Sequence, residues 1–289
     1  MSTDGGKLSS LQGGAGEDGG AVPARRAAME APQAQCPLPV ATIAEPAARR
    51  LERPRAAAAR ADALPVVEIF GPTLQGEGRA IGKKTMFVRL AGCDWSCLWC
   101  DTTYAWRADD LAPVARLSEA AISARLRELD PHCRAVTLSG GNPALHDCGP
   151  LVDLLHADGF RIHVETQGSR APAWLAAVDS VTVSPKGPSS GMAADWTGLA
   201  DTLRLARDPE LKVVIFDRND LMFAKAVHTR HPGVPLTLQV GNRVGQDGMD
   251  DWLAHLHTLA DQVLADGGLQ DVRVLPQMHV LIWGNRRGV

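Results

Sequence analysis

From Leu64 onward the chain alternates short β-rich runs with amphipathic helical stretches, and this alternation limits the fold more than any other feature. The expected strands are Val66–Phe70, Thr85–Leu90, Ala135–Ser139, Arg161–Glu165, Ser180–Val183, Leu211–Phe216, Leu236–Val240 and Val272–Leu275. Between many of them the apolar residues recur at helical spacing. In Leu117–Asp130, Ile122, Leu126 and Leu129 share one face and Ser118 is placed to cap the N-terminus. The stretches Leu151–Asp158, Asn219–His231 and Asp250–Asp266 read the same way. Strands separated by helices pair in parallel, so the expected class is α/β with a mainly parallel sheet and its chemistry on the loops after the strands. There are too few units for a closed eight-fold barrel, which leaves a partial, open β/α barrel.

Residues 1–62 do not belong to this pattern. They are dominated by Ala, Gly, Pro and Arg, with no aromatic residue before Phe70. Such a stretch buries too little apolar surface to offset its ordering entropy, so it is expected to be a disordered tail. A start at Met29 is the other reading of this stretch. The folded domain is expected over 63–289. A net charge of −3 in 289 residues gives no electrostatic reason to expect nucleic acid or a membrane surface as a partner. No apolar run approaches the roughly 18 residues of a membrane span, and no secretory leader is evident.

The six cysteines are not dispersed as a disulfide framework would be. Cys93, Cys97 and Cys100 fall within eight residues, and Cys36, Cys133 and Cys148 are scattered. Clustered thiols without an export signal point to a metal or redox centre in the cytoplasm. Thiolates at C-x3-C-x2-C spacing can face three corners of an iron–sulfur cube and leave the fourth iron open to a small molecule; clusters that only carry electrons take a fourth cysteine. A zinc knuckle is the competing reading, with His132, Cys133, His146 and Cys148 as further ligands. Both stay open on spacing alone.

The flanks are more specific. Trp99 stands just before the last cysteine. Glu68-Ile69-Phe70-Gly71-Pro72-Thr73-Leu74-Gln75-Gly76-Glu77-Gly78 precedes the triplet, Thr85–Leu90 leads into it, and the chain ends Trp283-Gly284-Asn285-Arg286-Arg287-Gly288-Val289. Together these resemble the 7-carboxy-7-deazaguanine synthase family of radical S-adenosylmethionine (SAM) enzymes, over about Leu64 to Val289. The resemblance implies a radical SAM partial barrel and the conversion of 6-carboxy-5,6,7,8-tetrahydropterin to 7-carboxy-7-deazaguanine with loss of ammonia, in queuosine-type deazapurine biosynthesis. It implies a [4Fe–4S] cluster on Cys93, Cys97 and Cys100, SAM chelated at the open iron, Mg²⁺ at Thr102, a flavodoxin- or ferredoxin-type electron donor, and a homodimer.

It also implies roles for single residues. Leu74, Gln75, Gly76, Arg89, Ser139 and Val289 match substrate positions, and a guanidinium at 89 suits the pterin carboxylate. Trp99, Cys100, Asp101, Gly141, Asn142, Ser184, Pro185 and Lys186 match SAM positions. Asn142, in Ser139-Gly140-Gly141-Asn142-Pro143, departs from the general Gly-Gly-Glu-Pro motif by placing a neutral amide where a carboxylate meets the methionine amino group. Glu165 ends a strand where a SAM-side contact is available, and His163 is read as pointing to the opposite face. Two rivals remain: an activase that makes a glycyl radical on a partner protein, and a non-catalytic zinc- or Fe–S-bearing binding module.

Overall fold

Alternating Val, Leu and Ile produce nine strands among the described residues: β1 (Leu64–Leu74), β2 (Lys84–Leu90), β3 (Ala115–Leu117), β4 (Ala135–Gly140), β5 (Arg161–Thr166), β6 (Ser180–Val183), β7 (Pro209–Ile215), β8 (Leu236–Val240) and β9 (Val272–Leu275). The computed structural model describes residues 63–245 and 248–289; the stretch 1–62, expected to be a tail, lies outside them. The strands form one sheet in the order β3-β1-β2-β4-β5-β6-β7-β8-β9. β1 pairs antiparallel with β2 and β3, and every pair from β2 to β9 is parallel. The open α/β sheet agrees with the sequence.

The helices are α1 (Glu119–Leu129), α2 (Gly149–Ala157), α3 (Trp196–Leu205), α4 (Arg218–Arg230), α5 (Met249–Leu264) and α6 (Met278–Trp283). Ser118 caps α1 as expected, its side chain accepting from the Ala121 N–H at 3.3 Å. α3, α6 and the three-residue β3 were not foreseen. α3 carries Gly198 and two threonines, which lower its intrinsic helix propensity, and an Asp195 cap starts it at 2.9 Å from the Gly198 N–H. β1 also runs four residues past its expected end, because its pairing with β2 continues to Leu74 opposite Lys84.

Side chains on a strand alternate between faces. One face of this sheet carries Val88, Leu90, Val136, Leu138, Ile162, Val164, Leu211 and Val213, all fully or almost fully buried in a single apolar core. Ile122 and Leu126 of α1, Leu151 and Leu155 of α2, and Ala224 and Val227 of α4 belong to the same core. Each fully buried Val or Leu contributes about 1.5–3 kcal/mol. The intervening positions are Arg89, Ser139, Glu165, Lys212 and Gln239, and these line the cavity on the opposite face. His163 needs a correction here. It lies two residues before Glu165, so the two share a face, and its ring meets Ser180 Oγ at 2.8 Å and Thr182 Oγ1 at 3.0 Å.

Candidate active site

A cavity of about 290 Å³ opens at the C-terminal ends of the parallel strands. Cys93, Cys97 and Cys100 line it together with Leu74, Gln75, Gly76, Arg89, Trp99, Asp101, Thr102, Ser139, Gly141, Ser184, Lys186 and Val289. Of the residues anticipated from the sequence, Asn142 and Pro185 are buried but are not among those lining the cavity. Glu165 lines it and bridges two of the anticipated residues: Gln75 Nε2 donates to Oε1 at 3.1 Å and Ser139 Oγ to Oε2 at 2.8 Å.

The cysteine loop follows β2. A Cβ on Gly141 would overlap the Gly92 carbonyl oxygen and come within 3.0 Å of Cys93 Cβ, so only glycine lets the β4 turn pack this close to the loop. N–H groups point at the thiol sulfurs: Trp106 Nε1 lies 3.2 Å from Cys100 Sγ and Gln167 Nε2 3.7 Å from Cys93 Sγ. Burial pushes all three thiols up, Cys97 to about 11, so each would need a nearby cation to become a thiolate. Among the described residues no three His, Cys, Asp or Glu side chains converge closely enough to hold one ion. A cube asks less of them, since each thiolate binds its own iron. Cys133 and Cys148, proposed as zinc ligands in the rival reading, sit instead in the apolar core. Cys36 lies outside the described residues.

Two charged groups flank the thiols. Lys186 Nζ donates to Ser184 Oγ at 2.8 Å and stands 5.8 Å from the Trp99 ring centre. Burial, aided by Lys212, lowers its pKa. Asp94 is also affected by burial, which works to raise its pKa, yet bonds from Asn142 and Ser169 hold it below the ordinary carboxylate range. Trp99 is fixed by its Nε1 bond to Ser189 at 2.9 Å and by packing on Phe216, with ring centres 4.9 Å apart. Thr102 donates its hydroxyl proton to Asp101 Oδ1 at 2.7 Å, which leaves its oxygen lone pairs for a hard cation.

In the same cavity, Arg89 Nε donates to Glu68 Oε1 at 2.8 Å, and its guanidinium lies 5.8 and 5.7 Å from the Phe70 and Tyr104 ring centres. Burial alone would lower the Arg89 pKa, but Tyr104 and Glu68 raise it, so the guanidinium stays charged. Arg287 Nε reaches Glu68 Oε2 at 3.0 Å and covers the Tyr104 ring at 3.7 Å, which brings the chain end to the cavity. Below lies a network the sequence reading missed. Glu77 pairs with Lys212 and accepts from Gln239 Nε2 at 3.0 Å and Gln277 Nε2 at 2.7 Å. Its signal was present in the strands: Lys212 follows Glu210, and Gln239 follows Thr237, at alternate positions of β7 and β8 whose other residues are apolar.

An open, mainly parallel sheet with three cysteines and a glycine-rich turn at its strand ends is the arrangement of a radical SAM protein. No family model matches the chain. The 7-carboxy-7-deazaguanine synthase of Bacillus subtilis is 44% identical over 242 residues, 79% of this chain and all of that one. The enzyme of the same name from Bacillus cereus is 43% identical over 235 residues, 78% of this chain and 99% of that one. Among solved structures, QueE from Escherichia coli superposes with a TM-score of 0.54 at 26% identity, over 75% of this chain and 94% of that one. The chain belongs to the 7-carboxy-7-deazaguanine synthase family. These relatives do not favour the activase or the zinc-module reading.

Proposed function

We propose that this chain converts 6-carboxy-5,6,7,8-tetrahydropterin to 7-carboxy-7-deazaguanine with loss of ammonia. Cys93, Cys97 and Cys100 would hold a [4Fe–4S] cluster, with SAM beside Trp99, Asp101, Gly141, Ser184 and Lys186 and Mg²⁺ at Thr102. The observation that carries this reading is that one cavity is lined by the three thiols together with Arg89 and the Gln75–Glu165–Ser139 bonds. When bound, the cluster and SAM supply the one-electron chemistry that removes and returns a hydrogen atom.

The residues of the chain bind and orient. Arg89, its Nε held by Glu68, keeps further N–H donors for a substrate carboxylate. Glu165 fixes the Gln75 amide by accepting one of its N–H bonds, so the flat heterocycle meets a pre-set hydrogen-bonding edge. Lys186, held by its bond to Ser184 Oγ, would offer a cation to SAM. Thr102 and Asp101 offer oxygen ligands that a hard ion prefers. A flavodoxin- or ferredoxin-type protein of the cytoplasm would deliver the electron, and the chain would act as a homodimer. Among the described residues no helix is long and apolar enough to cross a membrane.

The test is an anaerobic assay of the iron-reconstituted chain with reductant, SAM, Mg²⁺ and the carboxytetrahydropterin. Formation of 7-carboxy-7-deazaguanine, identified by mass, is expected. A chain that carries the cluster and cleaves SAM yet never yields that product would refute the substrate assignment.

A further inference from the structure

One residue holds the Cys93 loop from both sides. The Asn142 backbone N–H donates to the Gly92 carbonyl at 2.8 Å, and its side-chain Nδ2 donates to Asp94 Oδ1 at 3.0 Å. The same amide is otherwise engaged. Nδ2 also donates to Ser169 Oγ at 3.2 Å, while Oδ1 accepts from the Ala144 N–H at 3.2 Å and the Thr166 hydroxyl at 2.9 Å. An asparagine side chain has two N–H bonds to give and two lone pairs to fill. All four are used here, on a side chain with no exposed surface.

Asp94 is the counterpart. Its Oδ1 also accepts from Gln167 Nε2 at 2.6 Å, and its Oδ2 accepts from Ser169 Oγ at 2.8 Å with Arg170 Nε at 3.4 Å. An ionised carboxylate only accepts, so its neighbour at 142 must donate. A carboxylate at 142 would instead set a second negative charge against Asp94.

We propose that Asn142 is a positioning residue that clamps Asp94, and thereby sets Cys93 against the Gly140–Gly141 turn, and that it is not itself a ligand of SAM. This replaces the role expected of Asn142 from the sequence and rests on the cluster reading above. The negative charge sits on Asp94, and the Asn142 amide answers it. Binding of SAM then depends on Asn142 through the relative placement of two backbone segments.

The test compares wild type, Asn142→Asp, Asp94→Asn and the double variant Asp94→Asn/Asn142→Asp as full chains. The readouts are iron content after anaerobic reconstitution, the electron paramagnetic resonance spectrum of the reduced cluster with and without SAM, SAM affinity, and the melting temperature of the metal-free protein. In Asn142→Asp, SAM binding should weaken by about tenfold to a hundredfold, the scale of a hydrogen bond to a charged group. The SAM-induced spectral change should alter with it. The double variant should recover part of both, because the amide introduced at position 94 would then donate to the carboxylate introduced at position 142, with the Gln167 amide turned so that its oxygen accepts there. A direct SAM ligand behaves oppositely: Asn142→Asp would strengthen the bond to the ammonium, whatever stands at 94. Tighter or unchanged SAM binding in Asn142→Asp, or no recovery in the double variant, overturns the clamp. Should Asn142→Asp fail to fold, Asp94→Ala, which removes the acceptor of the Asn142 amide, serves alone, and an unaltered spectrum and SAM affinity there overturn it equally. A wild-type chain that takes up no iron refutes the cluster reading and the clamp with it. One that loads about four irons while the variants disobey refutes the clamp alone.

Discussion

Glu77→Gln should destabilise the fold by about 3 kcal/mol, the lower end of the cost of stripping one partner from a buried ion pair. The Glu77 and Lys212 side chains are only 15% and 8% exposed, and the carboxylate also takes the Nε2 donors of Gln239 and Gln277. Burial works against the Glu77 charge, but Lys212, with His279 and Gln277, holds its pKa far below the ordinary value. Burial likewise disfavours the Lys212 charge, and Glu77 and Glu165 more than reverse this. Glutamine keeps the shape and removes the charge, leaving Lys212 with Glu165 and Asp101 as its remaining carboxylates, which is why the lower end applies. The assay is urea unfolding of the metal-free chain for wild type, Glu77→Gln, Lys212→Met and the double variant. The double variant should be more stable than the sum of the single losses predicts, by about 1–3 kcal/mol. Stability from a depressed carboxylate is present above its unfolded pKa of about 4.3 and is lost as pH falls toward the folded value. Stability from a raised lysine is present below about 10.4 and is lost as pH rises through the folded value. The penalty should therefore be full between about pH 5 and 10 and shrink outside that window. Strictly additive single losses, or a loss under about 1 kcal/mol, would show that the pair is not coupled in the folded chain.

Three further outcomes follow from the site. Alanine at Cys93, Cys97 or Cys100 should abolish iron uptake, whereas alanine at Cys133 or Cys148, which lie in the apolar core, should lower stability and leave about four irons bound; iron analysis of the folded fraction decides. Arg89→Lys should raise the KM for the pterin by about tenfold, and Thr102→Ala should blunt the response to Mg²⁺, with SAM cleavage persisting in both. Saturation curves unchanged in both variants would unseat this placement of the substrate. Burial pushes the His163 imidazole down to about 4, so below its unfolded pKa of about 6.5 the unfolded chain takes up a proton that the folded chain refuses. Its share of stability, about 3 kcal/mol, should be lost as pH falls from about 6.5 to 4. Urea unfolding across that range should show a shallower slope in His163→Asn, and an identical slope would exclude this histidine as the cause.

The thiol spacing, the glycine pair and the alternation of strands with helices are local, and the sequence alone carried them. Val88 and Leu90, or Val136 and Leu138, reveal a buried face because a strand repeats every two residues and burial selects apolar side chains. The same rule marks Arg89, Ser139, Glu165, Lys212 and Gln239 as belonging to the other face, but it is silent on which of them meet. That depends on strand order and register. β2, β4 and β5 are sheet neighbours, which sets Ser139 beside both Arg89 and the strand of Glu165. β7 and β8 are neighbours as well, which carries Lys212 and Gln239 together under the Glu77 loop. Asn142 shows the limit most sharply. Its position in a glycine-rich motif suggested contact with a ligand, yet its amide is spent on Asp94, Ser169, Ala144 and Thr166. Hydrogen-bonding capacity is a property of the side chain, but whether any is left over is fixed only when residues distant in sequence are packed around it.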